Sequence, residues 1–289
     1  MIDDNFFPYF FIFFAIYSIW LLDNKILSIL LTVIAVILLL IIELVSLESM
    51  AIIGLFSIGC YLYFNKPMPK IGKLFAWVIV FVTGYMMLKH MVPGIQNWRL
   101  VDNEEVSANV YNYSLWINID TALVGLIIFI CGLDPITHFK DLKEALWKAK
   151  YVFAGAIVVI LVTALSLGVV APDTKLPSLW MLWILTNLTI VCVSEEAFHR
   201  FFVLNSIQSA IPDKKIGAPI ALVASTTIFT LMHSGPISYL IVVFIAGLFY
   251  GYAYQLTKRI EASILLHFLV NLIHFLFFTY PMLRVDYGM

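Results

Sequence analysis

Long apolar runs separated by short polar connections recur along the chain, near 6–22, 26–46, 49–65, 73–92, 117–133, 151–170, 178–211, 217–234, 237–256 and 260–280. A helix rising ~1.5 Å per residue needs about 20 such residues to cross a hydrocarbon layer of about 30 Å. The third run is short for this and the seventh long. No run alternates apolar with polar residues as a membrane barrel strand does, and in lipid a helix satisfies its own backbone. The pattern predicts an all-α polytopic transmembrane helical bundle of about ten spans.

The polar connections divide the bundle. Gln96 to Tyr113 is the longest, carries Asp102, Glu104 and Glu105, and is expected on the outer face. It sets off residues 1–116, an N-terminal extension of about four spans plus the polar loop, from a six-span C-terminal core at 117–289. In Asp134 to Lys150, basic and apolar residues recur at helical spacing. This segment is either an amphipathic helix on the cytoplasmic leaflet or a solvated linker helix.

Composition fixes the solvent. Of 289 residues, 62% are hydrophobic and 12% charged, too few charges to solvate a soluble surface, so the chain is expected to live in a lipid bilayer. A net charge of −1, with no basic patch interleaved with aromatics, excludes nucleic acid as a partner. Cys60, Cys131 and Cys192 each sit in an apolar run, without disulfide or metal-ligand spacing, and read as small buried hydrophobes. Met1 to Asn5 is acidic where a cleavable signal would be basic, so the first run is expected to be a retained helix. Lysine and arginine concentrate after odd-numbered spans, at Lys66, Lys70 and Lys73, at Lys140 to Lys150, and at Lys214 and Lys215. The positive-inside rule then places those loops in the cytoplasm and both termini outside, in a membrane expected to be the bacterial inner membrane.

Ionisable residues inside apolar spans are costly and signal function by default. Ser-Glu-Glu-Ala-Phe-His-Arg, from Ser194 to Arg200, follows an uncharged run beginning at Leu176. Glu196 and Arg200 are spaced i,i+4, the favourable order for an ion pair, while Glu195 lies about 100° around the helix. His233 ends a second apolar run after Phe229, and His267 shares a helical stripe with Asn271. If Pro212 to Ile216 turns a helical hairpin, Glu195 and His233 stand at equal distances from the turn and at equal height. Elsewhere, His199 is expected to point to the interface, His274 to lie behind the site, and His90 and His138 to be solvated. Asp120 and Glu43 read as isolated interfacial acids. Ser194 and Ser234 lack the partners of a serine protease.

Glu195-Glu196-x-x-x-Arg200, Phe229-x-x-x-His233 and His267-x-x-x-Asn271, in that order, resemble the three motifs of the CPBP family. That family comprises CAAX prenyl endopeptidases of the second type and the bacteriocin-processing and immunity proteins also called the Abi family. The resemblance covers roughly Ser178 to Phe278 and implies an intramembrane endopeptidase acting on a membrane-associated peptide or protein. It implies Glu195 as the general base that activates water, with His233 helping to hold it, and His267 and Asn271 as oxyanion donors. Glu196 and Arg200 become a supporting pair, and Phe229 packs the site. A zinc ion on Glu195, His233 and His267 is the metal alternative; the family's proteases are mostly glutamate-dependent, which favours no cofactor. The competing function is a non-catalytic membrane protein: a transporter, scaffold or immunity factor.

Overall fold

The structure is a computed structural model that describes residues 6–284, so Met1 to Asn5 and the sides taken by the termini lie outside it. Among the described residues ten helices dominate. They are α1 (Phe6–Leu22), α2 (Lys25–Ile41), α3 (Leu47–Asn65), α4 (Lys70–Leu88), α5 (Ile119–Gly132), α6 (Phe139–Ser166), α7 (Trp180–Ala210), α8 (Lys214–Leu231), α9 (Ile237–Thr257) and α10 (Ile260–Phe277). Six of them, α3, α4, α6, α7, α9 and α10, are long and apolar enough to cross a membrane, as a multi-pass membrane protein requires. The remaining expected spans are α1, α2 and α5, which are shorter apolar helices, and α8, whose two lysines and four hydroxyl residues dilute its apolar character.

Three expectations change. The bundle is not wholly helical: strands β1 (Trp98–Glu104) and β2 (Tyr113–Ile117) pair as a hairpin in the long polar connection. Alternate residues Leu115 and Ile117 are buried while Trp116 between them is exposed, the period of two that a half-buried strand needs. Asn103 and Asn109 take the left-handed backbone region that asparagine tolerates in such connections. Second, the segment read as a leaflet or linker helix is continuous with the sixth span. No proline interrupts the chain from Phe139 to Ser166, and one helix of 28 residues runs through both. Third, Glu43 lies not in a span but in the exposed turn after α2, at φ 60°.

Helix ends follow local signals. Asn24 Oδ1 caps α2 by accepting from Leu27 N at 2.9 Å, and Asp213 Oδ1 caps α8 from Lys215 N at 2.8 Å. Ile211, directly before Pro212, takes the extended backbone that proline imposes on its predecessor, and α7 stops there.

The chain packs as two compact units. The first contains the described residues up to Trp98, then Ile117–Asp141 and Thr189–Val203. Its centre is α5, buried continuously from Ile119 to Phe129 and in contact with α1, α2, α3, α4 and the Val193–Glu196 turn of α7. A helix apolar on every side belongs in a core, and its ~21 Å length need not match the bilayer because protein surrounds it. The second unit contains Arg99–Trp116, Leu142–Leu188 and the chain from Leu204. Its main core joins Val152, Ala156 and Ile160 of α6 to Phe229 of α8, Val243 and Tyr250 of α9, and Leu266 and Val270 of α10.

Close approach in the first unit depends on two glycines. A Cβ on Gly125 of α5 would stand 2.9 Å from Ser194 Cα, and one on Gly84 of α4 would stand 2.6 Å from the Phe198 ring. Neither space holds a methyl group. Gly125→Ala is therefore expected to lose about 1–3 kcal/mol, read as a lower unfolding temperature in detergent. Gly54→Ala, where nothing lies within 4 Å of the added Cβ, serves as the neutral control.

Candidate active site

α7 carries the first motif on an unusual backbone. Regular α-turns at Trp180–Thr186 give way to a π-helical stretch at Asn187–Cys192; one α-turn, Val193–Glu196, follows, and a second π-stretch covers Ala197–Leu204. Such i→i+5 backbone is rare and clusters at functional sites. The two adjacent glutamates occupy the single α-turn between the widened stretches.

Aromatic packing holds this part of α7 within the first unit. Phe198 stacks on Phe81 (6.0 Å between centroids), Phe201 on Phe64 (5.4 Å) and Phe202 on Trp77 (5.8 Å), with Tyr63 edge-on to Phe202 at 5.3 Å. On the same segment, Glu196 and Arg200 are both fully buried, and Arg200 Nε stands 3.1 Å from Glu196 Oε2. The spacing expected to form an ion pair forms one. Glu195 is in a different position: it is half-buried, and its Oε2 is shut off from solvent with no hydrogen-bond partner among the described residues. Its backbone carbonyl accepts from His199 Nδ1 at 2.8 Å. His199, expected at the interface, is instead 1% exposed, because its helix is enclosed by protein there.

The second and third motifs meet in the second unit. His233 lies two residues beyond α8, and its Nδ1 donates to Phe229 O at 2.9 Å, which leaves Nε2 as the basic nitrogen of the neutral ring. The Phe229 ring lies 4.7 Å from His233 and stands edge-on to His267 at 5.9 Å, so it touches both histidines. His267 is 4% exposed and stacks on Tyr250 at 4.5 Å and 18°. One turn along α10, Asn271 Nδ2 donates to Asn187 Oδ1 at 3.2 Å. His274 bonds to Thr279 O at 3.1 Å, at the end of the same helix.

All seven motif residues fall within one detectable domain. Residues 177–273, about a third of the chain, match the family model described as type II CAAX prenyl endopeptidase Rce1-like. That segment is therefore similar to a type II CAAX prenyl endopeptidase domain. No curated protein and no solved structure matches the chain. Among the described residues no group of three or more His, Cys, Asp or Glu side chains is gathered as a metal ion would require.

Sequence reasoning missed three features. Asn187 and Tyr250 stand against motif side chains without belonging to a motif; an asparagine inside an uncharged span was the available signal for the first, and a tyrosine in an apolar helix gave none for the second. The third is a polar cluster in the first unit. Asp120, expected as an isolated interfacial acid, is 1% exposed, and its Oδ2 lies 2.8 Å from Nδ1 of His90, which is exposed as expected yet paired. Asn97 Nδ2 donates to Asp120 Oδ1 at 3.2 Å, while Asn97 Oδ1 accepts from Ile119 N at 2.8 Å. The signal lay in α5 itself: an acid in the first turn of a helix apolar all round is buried with it.

Removing one partner of a buried pair leaves an uncompensated charge. Glu196→Ala and Arg200→Ala are each expected to destabilise the protein by about 3–5 kcal/mol, measured by denaturant or thermal unfolding in detergent. The paired replacement Glu196→Leu with Arg200→Met, which removes both charges, is expected to recover much of that loss.

Proposed function

We propose that the chain is an intramembrane endopeptidase of the CAAX type, acting in a bacterial inner membrane on a membrane-associated peptide or protein. Glu195 is the general base: it takes a proton from water, and the resulting hydroxide attacks the scissile carbonyl carbon. His233, through Nε2, orients that water. His267 and Asn271 donate hydrogen bonds to the oxyanion. Collapse of the tetrahedral intermediate breaks the C–N bond, and the proton held by Glu195 passes to the leaving amine. Glu196 and Arg200 hold α7 in shape, and Phe229 sets the two histidine rings.

The observation that carries this reading is the difference between the adjacent glutamates. Glu196 is committed to Arg200, whereas Glu195 Oε2 is buried without a partner. A carboxylate oxygen buried without a partner is costly and gains from a hydrogen bond donated by a water molecule. The match of residues 177–273 to a CAAX prenyl endopeptidase domain supports the reaction class and makes a prenylated peptide the natural first substrate.

The test is the side chain that keeps shape and loses basicity. Glu195→Gln is expected to lower cleavage by about 10²- to 10⁴-fold, with the unfolding temperature unchanged. Membrane-protein fragments compared between cells with wild-type and Glu195→Gln protein read the activity without a known substrate. Identical fragments in the two, with both proteins expressed, would sink the proposal.

A further inference from the structure

The helix α6 is longer than a hydrocarbon layer is thick. Its 28 residues span ~42 Å against about 30 Å, so one end stands among lipid headgroups. Trp147, Tyr151, Val158, Val162 and Leu165 recur along one face at helical spacing, and all are exposed. Tryptophan and tyrosine collect where hydrocarbon meets headgroups, so the aromatic end of this stripe marks that level. Lys150 joins it there, its Nζ 3.3 Å from the centre of the Trp147 ring and 5.0 Å from that of Tyr151.

α6 runs antiparallel to α9 within the second unit. Ala164, near the end of α6, shares a cluster with Tyr239 and Val242, near the start of α9, and a Cβ on Gly155 would lie 3.6 Å from the Phe249 ring. Seven residues back from Gly155 is Lys148; seven on from Phe249 is Leu256, two short of Lys258. At ~1.5 Å per residue the two lysines stand within about 3 Å of one height, level with the aromatic end of the stripe. Lys258 closes α9 in the left-handed region at φ 61°, its N–H donating to Tyr254 O at 2.7 Å. Burial and the neighbouring Lys148 charge hold its ammonium below the usual lysine range. Both lysines are exposed, as is Arg259, and among the described residues no carboxylate pairs with any of the three.

Two ammonium groups at one height repel, and an anion with several oxygens set between them relieves the repulsion. The bilayer supplies such an anion at this level. We propose that Lys148 and Lys258 bind the phosphodiester of an anionic phospholipid, whose acyl chains lie along the Trp147–Leu165 face of α6. A soluble acidic partner would match the charges and leave that apolar face uncovered; a lipid matches both. The site lies apart from the three motifs and does not depend on the endopeptidase reading.

The experiment uses the full chain in neutral detergent, titrated with dioleoyl phosphatidylglycerol or dioleoyl phosphatidylcholine, with bound lipid read by native mass spectrometry. Phosphatidylglycerol is expected to bind the wild type about tenfold more tightly than phosphatidylcholine. Lys148→Ala and Lys258→Ala are each expected to weaken it about fivefold, and the double variant by more than either, while Lys148→Arg keeps it. Lys214→Ala, the same charge change at the same end of the second unit, is expected to stay within about twofold of wild type. Without lipid, Lys258→Ala is expected to unfold no lower than wild type, because it relieves a repulsion. A fall in that temperature would make the lysine structural and overturn the proposal. So would equal binding of the two lipids, or a loss in Lys214→Ala as large as that in Lys148→Ala, which would mark a diffuse charge effect. Displacement of the lipid by millimolar inorganic phosphate would overturn it too, by making the site one for the free ion.

Discussion

The Glu196–Arg200 pair is the constraint around which α7 is organised. Both side chains are removed from solvent, and a buried ion survives only where its partner is held at bonding distance. Holding them there fixes the rotation of the helix across the i,i+4 step. It therefore fixes which way Glu195, the preceding residue, faces. One carboxylate is committed to structure so that its neighbour's direction is set. The π-stretches on either side act on the same quantity, since each extra residue per turn changes the facing of everything beyond it.

Such a pair needs walls as well as geometry. In the first unit those walls come largely from helices outside the segment matched by the family model: Phe64 of α3, Trp77 and Phe81 of α4, and the glycine surface of α5 at Gly125. The N-terminal helices thus give the glutamate segment a protein environment in place of lipid. The His90–Asp120–Asn97 cluster ties the end of α4 to the start of α5, two of the helices that form this environment. Burial of Asp120 is tolerable because its carboxylate has three donors: the His90 ring, the Asn97 amide and the Thr121 backbone.

Much of this was legible in the chain. Ten helices follow from apolar runs because lipid leaves the backbone no other economical choice, and the i,i+4 spacing of Glu196 and Arg200 states their pairing outright. Burial that depends on distant neighbours could not be read. His199 looks interfacial on a straight helix beside polar residues, yet α7 is enclosed there. His90 and Asp120 lie 30 residues apart, and only the central place of α5 brings them together. The hairpin at Trp98 to Ile117 hid in a segment whose charges suggested only a polar loop. Backbone widening in α7 has no residue signature: Thr189, Ile190 and Val191 would suit an ordinary helix as well.

The second unit solves a different problem from the first. Imidazole and amide groups in an apolar core must have their polar atoms satisfied and their faces packed. His233 does this by giving Nδ1–H to the Phe229 carbonyl, His267 by lying flat on Tyr250, and Asn271 by giving one N–H to Asn187. Each device commits one atom or one face of the group. In the first unit the commitment falls on a whole side chain, Glu196, because an ion cannot be half-satisfied so cheaply as an amide. Neutral groups can hold their own orientation with a single bond each; a charge needs a dedicated counter-charge. That difference explains why the motif that supplies the carboxylate carries an extra glutamate and an arginine, while the motifs that supply histidine and asparagine carry no charged companion.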